Sequence, residues 1–264
     1  MIMKKEDLLI SVEQYFATSL TKDEDRFIQG GGIEWDLSTF PIGFDWNFLQ
    51  HLIGAGNRVD HLVYMFFYAQ FIPDNSTVVE IGTLEGSTAI AIVMGARAVK
   101  KNIHVITIDP ILLSEEEKIN RKMELSTFEE YKAYYLNSNL FTFLRHIKES
   151  CNEGYITPVP GLSQEVLERW DGRPIEMLYV DGEHTYDAVK IDCEWMQYVK
   201  EGGIAVFDDW LECVEKAVLE YIEVHPEWVM VTLSTNQPRG NLWKTVFLKD
   251  SSREIEKIRC KKMP

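Results

Sequence analysis

The rhythm of hydrophobic and polar positions changes once along the chain, close to Pro73. Before it the sequence is aromatic and irregular: Phe27, a Gly30-Gly31-Gly32 run, then Trp35, Phe40, Phe44, Trp46 and Phe48, followed by two helical patterns broken at Gly54-Ala55-Gly56. After it, short β-branched and apolar runs alternate with longer stretches of helical period, the signature of βαβ units around a parallel sheet. The pattern predicts strands near 77–81, 103–108, 155–158, 176–180 and 203–207, with helices at about 86–99, 128–150, 163–170, 186–200 and 211–224. Two last apolar runs, 228–234 and 243–249, flank Asn236-Gln237-Pro238-Arg239-Gly240 and are expected to pair as an antiparallel hairpin. The chain therefore divides into a helical cap over 1–72, an α/β core over 73–250 and a basic, frayed tail over 251–264.

Composition narrows the class. With 264 residues, 45% of them hydrophobic, the chain can bury a full core, which excludes disorder, collagen and coiled coil. Its 42 acidic residues outweigh 27 basic ones to give a net charge of -15, which repels polyanions. Neither nucleic acid nor an anionic membrane is expected as a partner. Cys151, Cys193, Cys213 and Cys260 form no Cys-x-x-Cys pair and read as reduced thiols of a cytoplasmic protein. Charges interrupt the apolar residues at the N-terminus, and the longest apolar run, Leu62 to Ala69, is too short for a bilayer, so neither a signal peptide nor a membrane span is expected. That run suits either the core or an interface between copies, and a homo-oligomer is compatible with it.

In such a sheet ligands bind beyond the carboxyl ends of the strands, where strand order reverses, so the residues just after each apolar run carry the chemistry. The first strand ends in Val79-Glu80-Ile81-Gly82-Thr83-Leu84-Glu85-Gly86-Ser87. Its glycines permit a tight turn and close backbone approach, and the helix that follows offers free N–H groups to a carboxylate or phosphate. A carboxylate at Glu80, closing a buried strand, is costly unless a cationic or donor-rich ligand meets it. The spacing is Glu-x-Gly-x-x-x-Gly and not Gly-x-Gly-x-x-Gly, which counts against a dinucleotide. The second strand ends in Asp109-Pro110, near the spacing of ~20 residues at which an acid accepts hydrogen bonds from ribose hydroxyls; a plain turn is the structural alternative. Ser163, after the third strand, suits both a helix N-cap and a ligand contact.

The fourth strand runs into Asp181-Gly182-Glu183-His184, and the fifth into Asp208-Asp209-Trp210. Three carboxylates at adjacent strand tips need a counterion, and Asp181, Asp208 and Asp209 fit a hard cation such as Mg²⁺ that keeps open positions. The structural alternative is a turn at Asp181-Gly182 and an N-cap at Asp209. His184, three residues past Asp181, faces whatever sits there and can take a proton near neutrality, whereas His51, His61, His104, His146 and His225 read as structural.

Together these segments resemble the class I S-adenosylmethionine-dependent methyltransferases, and among them the metal-dependent O-methyltransferases. VVEIGTLEGSTAIAI is similar to the family's first motif, VITIDP to its ribose-binding acid, and GLSQEVL to the adenine-side segment of catechol O-methyltransferase. MLYVDGEHTYDAV and GGIAVFDDW resemble the metal segments. Histidine at the base position and aspartate at Asp209 are closer to the macrocin O-methyltransferase-like enzymes, which implies a sugar or polyol ahead of a catechol. The resemblance implies a Rossmann-like sheet of order 3-2-1-4-5-7-6 with its last strand antiparallel. It places Glu80, Gly82, Thr83, Gly86, Ser87, Asp109, Ser163, Gln164 and Asp181 at the cofactor, Mg²⁺ on Asp181, Asp208 and Asp209, and the base at His184. The function it implies is methylation of a hydroxyl on a small molecule (sugar, polyol or phenol) of the kind met in natural-product biosynthesis. Two alternatives stand beside it: a nicotinamide-dependent oxidoreductase, and a module that binds the cofactor without turnover.

Overall fold

The computed structural model describes residues 27–30, 33–36, 59–110, 139–234 and 244–250. In chain order these form β1 (Phe27–Gly30), β2 (Ile33–Asp36), α1 (Val59–Phe71), β3 (Ser76–Ile81), α2 (Ser87–Ala98), β4 (Ile103–Asp109) and α3 (Asn139–Glu149). There follow β5 (Ile156–Pro160), α4 (Ser163–Leu167), β6 (Ile175–Val180), α5 (Tyr186–Cys193), β7 (Val199–Asp208), α6 (Glu212–Val224), β8 (Trp228–Ser234) and β9 (Lys244–Lys249). One seven-stranded sheet orders the strands β5-β4-β3-β6-β7-β9-β8. Counted from β3, that is the 3-2-1-4-5-7-6 order expected of the class I methyltransferase sheet. β9 runs antiparallel to both β7 and β8, so the expected closing hairpin is present.

The central strands read as continuous apolar runs because helices cover both faces of the sheet. Successive residues serve opposite cores: Val78, Val105, Met177, Tyr179 and Val206 join Leu62, Met65, Ile90 and Val93 of α1 and α2. Val79, Ile81, Ile106, Leu178 and Phe207 join Trp195, Val214 and Val218 on the other side. The run Leu62 to Ala69 is thereby resolved as core, with Leu62, Met65, Phe66, Tyr68 and Ala69 fully buried. At Gly95 of α2 a β-carbon would stand 2.0 Å from the Phe66 carbonyl, so α1 and α2 pack backbone to backbone.

Several expectations need correction. The helix expected over 186–200 stops at Cys193, continues as a 3-10 turn over Glu194–Tyr198, and gives way to β7 at Val199. Register jumps from Ile175↔Val199 to Met177↔Ile204, a bulge in which Gly202 adopts φ 71. The expected helix over 163–170 is the short α4 alone, and of the one over 128–150 only α3 lies within the described residues. In the expected helical cap, β1 and β2 pair antiparallel from Phe27↔Asp36 to Gly30↔Ile33. The alternation Ile33-Glu34-Trp35-Asp36 is a period of two, which favours strand over helix. α1 belongs to the three-layer core, so the packing unit begins before residue 72. The rest of the cap, the 251–264 tail and the 236–240 connection lie outside the described residues, as do His51 and Cys260. No helix among the described residues is long and apolar enough to cross a membrane.

Candidate active site

The site begins where β3 ends. Backbone pairing continues to the tips of three strands, with Gly82 N–H donating to the Ile108 carbonyl (2.8 Å) and Asp181 N–H to the Ile81 carbonyl (2.8 Å). That continuity leaves no space beside Gly82: a β-carbon there would stand 2.0 Å from the Asp181 carbonyl oxygen, and its φ is 81. The turn is then fixed by a side chain, since Thr83 and Leu84 N–H both donate to Asp109 Oδ2, at 2.8 and 3.0 Å. Leu84 pays with a left-handed backbone, φ 49. Gly86 caps α2 at φ 83, where any side chain would strike the Phe143 ring. The two glycines thus answer protein neighbours, the Asp181 carbonyl and the Phe143 ring.

Beyond these tips opens a cleft of about 580 Å³, within the roughly 300–1,000 Å³ of small-molecule sites. Of the residues expected at a cofactor, Gly82, Thr83, Asp109, Ser163, Gln164 and Asp181 form its walls, while Glu80, Gly86 and Ser87 lie outside the lining. Glu80 is fully buried, next to Thr107 and Tyr179 in the register of the neighbouring strands. Neither of its carboxylate oxygens has a well-aligned hydrogen-bond partner among the described residues. Burial pushes Glu80 up to about 8; the Thr83 side chain and the Ala89 backbone offset this in part, and Asp181 and Asp109 add to it. Asp109 is also raised, chiefly by burial, against the two amide bonds it accepts.

At the other strand tips the charged groups meet. His184 Nε2 stands 3.5 Å from Asp181 Oδ1, and Nδ1 stands 3.3 Å from Asp209 Oδ2, so the imidazole bridges the two carboxylates. Asp181 raises the pKa of His184, burial opposes this, and Asp209 adds to the rise. Asp181 is anchored through its second oxygen, which accepts from Tyr179 Oη at 3.0 Å. The phenol is pushed well above its ordinary range by burial first, then by Asp181, Asp208 and Glu80 around it. From α6, the Cys213 thiol donates to the His184 carbonyl (2.8 Å) and holds the loop. Asp209 adopts φ 43, a conformation unusual for a residue other than glycine and typical of strained functional positions. It is not the N-cap of α6; Leu211 is.

This arrangement does not fit the expected Mg²⁺. Among the described residues no group of three ligating side chains is placed to hold a metal ion. The imidazole stands between Asp181 and Asp209, and Asp208, 3% exposed, lies with Asp181 and Glu80 around the Tyr179 phenol.

At the β5 end, Ser163 opens α4 but Leu162 is the N-cap and no side chain caps the helix. Ser163 Oγ instead accepts from the buried Trp195 Nε1 at 3.0 Å. Its hydroxyl proton is then directed to Asp192 of α5, a cleft residue that sequence reasoning missed. Burial pushes Asp192 up to about 6 against the Ser163 hydrogen bond. The signal was present: Asp192 shares the buried face of α5 with Val189 and Cys193, an acid where an apolar residue is expected. Among the histidines expected to be structural, His104 bonds Thr157 (2.9 Å), His146 bonds the Glu85 carbonyl (3.0 Å) and His225 stacks on Tyr221.

Comparison with known proteins gives three findings. A family described as methyltransferase domain matches residues 79–210, half of the chain. The fold is similar to an SAH-bound methyltransferase from Podospora anserina, at 12% identity over 94% of this chain and 97% of that one, TM-score 0.54. It is also similar to cofactor-bound Rv0187 from MTB, at 14% identity over 81% of this chain and 94% of that one, TM-score 0.53. No curated protein matches the chain significantly.

Proposed function

The chain belongs to the methyltransferase-domain family, and from that premise we propose that it transfers a methyl group from S-adenosylmethionine to a hydroxyl of a small molecule, a sugar, polyol or phenol. The observation that carries the reading is His184 bridging Asp209 and Asp181, the latter a residue of the cleft wall. A nicotinamide-dependent reaction is set aside by the family. The net charge of -15 supports a small acceptor over a nucleic acid or an anionic membrane.

The residues divide the work along the cleft. Asp109 already commits Oδ2 to the Thr83 and Leu84 amides, which orients its other oxygen for ribose hydroxyls. Asp181 on the cleft wall supplies negative charge towards the cationic end of the donor, and Ser163 with Gln164 lines the adenine end. When bound, S-adenosylmethionine supplies a sulfonium methyl whose carbon–sulfur bond breaks as the acceptor oxygen forms its bond to carbon. His184, held between the two carboxylates, takes the hydroxyl proton. Asp181 and Asp209 stabilise the imidazolium that results, so the negative charge serves the base directly.

The test is a methyl-transfer assay with a panel of sugars, diols and catechols, read by mass. Turnover on one of these classes is expected in the wild type. His184→Ala should lower it by about 100-fold or more while leaving S-adenosylhomocysteine affinity unchanged. Failure to bind S-adenosylhomocysteine at millimolar concentration ends the reading.

A further inference from the structure

A second cavity shares Gly161 with the cleft, is otherwise lined by different residues, and has no role in the chemistry described above. Its volume is about 430 Å³, within the roughly 300–1,000 Å³ of small-molecule sites. It exists because α4 is short. The helix stops at Leu167 and the chain tightens into i→i+3 bonds, Arg169 N–H to the Val166 carbonyl and Trp170 N–H to the Leu167 carbonyl, both 3.1 Å. Ile106 of β4, Val159 of β5 and Val166 of α4 are left as an apolar floor, and the chain after α4 supplies the polar wall.

Two guanidinium groups stand on that wall in different states. Arg173 is fixed: Nε and Nη2 donate to the Asp171 carboxylate at 2.6 to 2.9 Å, and Cζ stands 5.4 Å from the centre of the Trp170 ring. Trp170 is held in turn, by its indole N–H on the Arg173 carbonyl (3.1 Å) and by edge-on contact with the buried Trp195. Nη1 of Arg173 is thereby a placed donor. Arg169 is the opposite case. Glu165 stands four residues before it, but the tightened turn breaks the helical spacing that pairs such residues, and the Arg169 guanidinium has no hydrogen bond or ion pair to another described residue. The remaining polar pair, His104 Nε2 and Thr157 Oγ1, is satisfied internally at 2.9 Å. Burial, and then Arg173, hold His104 below the ordinary imidazole range, so it brings no charge of its own near neutral pH.

An apolar floor below one free and one placed guanidinium fits an anion with an apolar body. A dianion such as phosphate would meet the carboxylates of Asp171 and Glu165 on the same walls, whereas a carboxylate matches the guanidinium fork with a single charge. We propose that this cavity is a second ligand site, which takes a small monocarboxylate on Arg169 and Arg173 and seats its apolar body on Ile106, Val159 and Val166. The site does not depend on the S-adenosylmethionine reading.

The experiment is titration calorimetry of the full chain with phenylacetate and with phenylacetamide, its uncharged counterpart. The wild type is expected to bind the carboxylate at least about tenfold more tightly, and in Arg169→Gln the ratio should fall to about threefold or less. Arg169 is exposed and lies outside the cleft lining, so that loss assigns the carboxylate to this cavity and not to the cleft. A preference that survives in Arg169→Gln overturns the proposal. Equal binding of the two probes by the wild type, or no binding of phenylacetate at about 10 mM, overturns it without any variant. Failure to bind S-adenosylhomocysteine is a separate result, which removes the transfer reaction and leaves this site standing.

Discussion

The two loops that close the cleft, after β3 and after β6, are organised by opposite means. The first is held by backbone: Gly82 accommodates the Asp181 carbonyl, Gly86 accommodates Phe143, and two amides converge on one carboxylate oxygen. The second is held by side-chain charge, with His184 between Asp181 and Asp209 and a thiol on its carbonyl. The difference teaches that a substitution in the first loop should be felt in folding, and one in the second in turnover.

The strongest break of that contrast is Gly82→Ala. A methyl 2.0 Å from the Asp181 carbonyl, on a residue at φ 81, combines overpacking with a left-handed backbone penalty. A loss of about 3 kcal/mol or more is expected, read as a fall of roughly 10 °C in Tm. An unchanged Tm would refute the backbone account of the first loop, just as the His184→Ala result set out above tests the second.

A smaller effect separates the buried acid beneath both loops. The pKa of Glu80 is raised from 4.5 to about 8, so the folded state holds its proton more tightly than the unfolded chain. Its contribution to stability is therefore lost as pH rises from about 4.5 towards 8. Glu80→Gln cannot ionise. Without ligand, its Tm relative to wild type should climb across that window and level off above it; parallel curves would show that Glu80 has a partner that keeps it charged.

The smallest effect expected is none. If the imidazole and not a cation occupies the space between Asp181 and Asp209, excess chelator leaves turnover unchanged within about twofold, against the several kcal/mol a catalytic metal supplies. Loss restored by added Mg²⁺ would return the three aspartates to a metal site.

The closing hairpin and the place of the cleft were legible in the sequence, and the strand order followed from the family resemblance. Buried parallel strands leave long apolar runs, and the residue types that follow them sit at strand tips whatever the packing. The turn into β7 was not legible, because Trp195, Met196 and Val199 carry a helical period that Gly202 and the ladder to β6 override. The same limit applies to the site. Which residues arrive at the tips of β3, β4, β6 and β7 is a matter of chain order, and Glu80, Asp109, Asp181, His184 and Asp209 could be named from it. Which of them neutralise one another is a matter of a few ångströms. Only the packed structure set His184 between two carboxylates, placed Asp208 near Tyr179, and brought Asp192 from one helix to Ser163 of another. Electrostatic partners are chosen by distance across elements far apart in the chain, and no spacing along it encodes that distance.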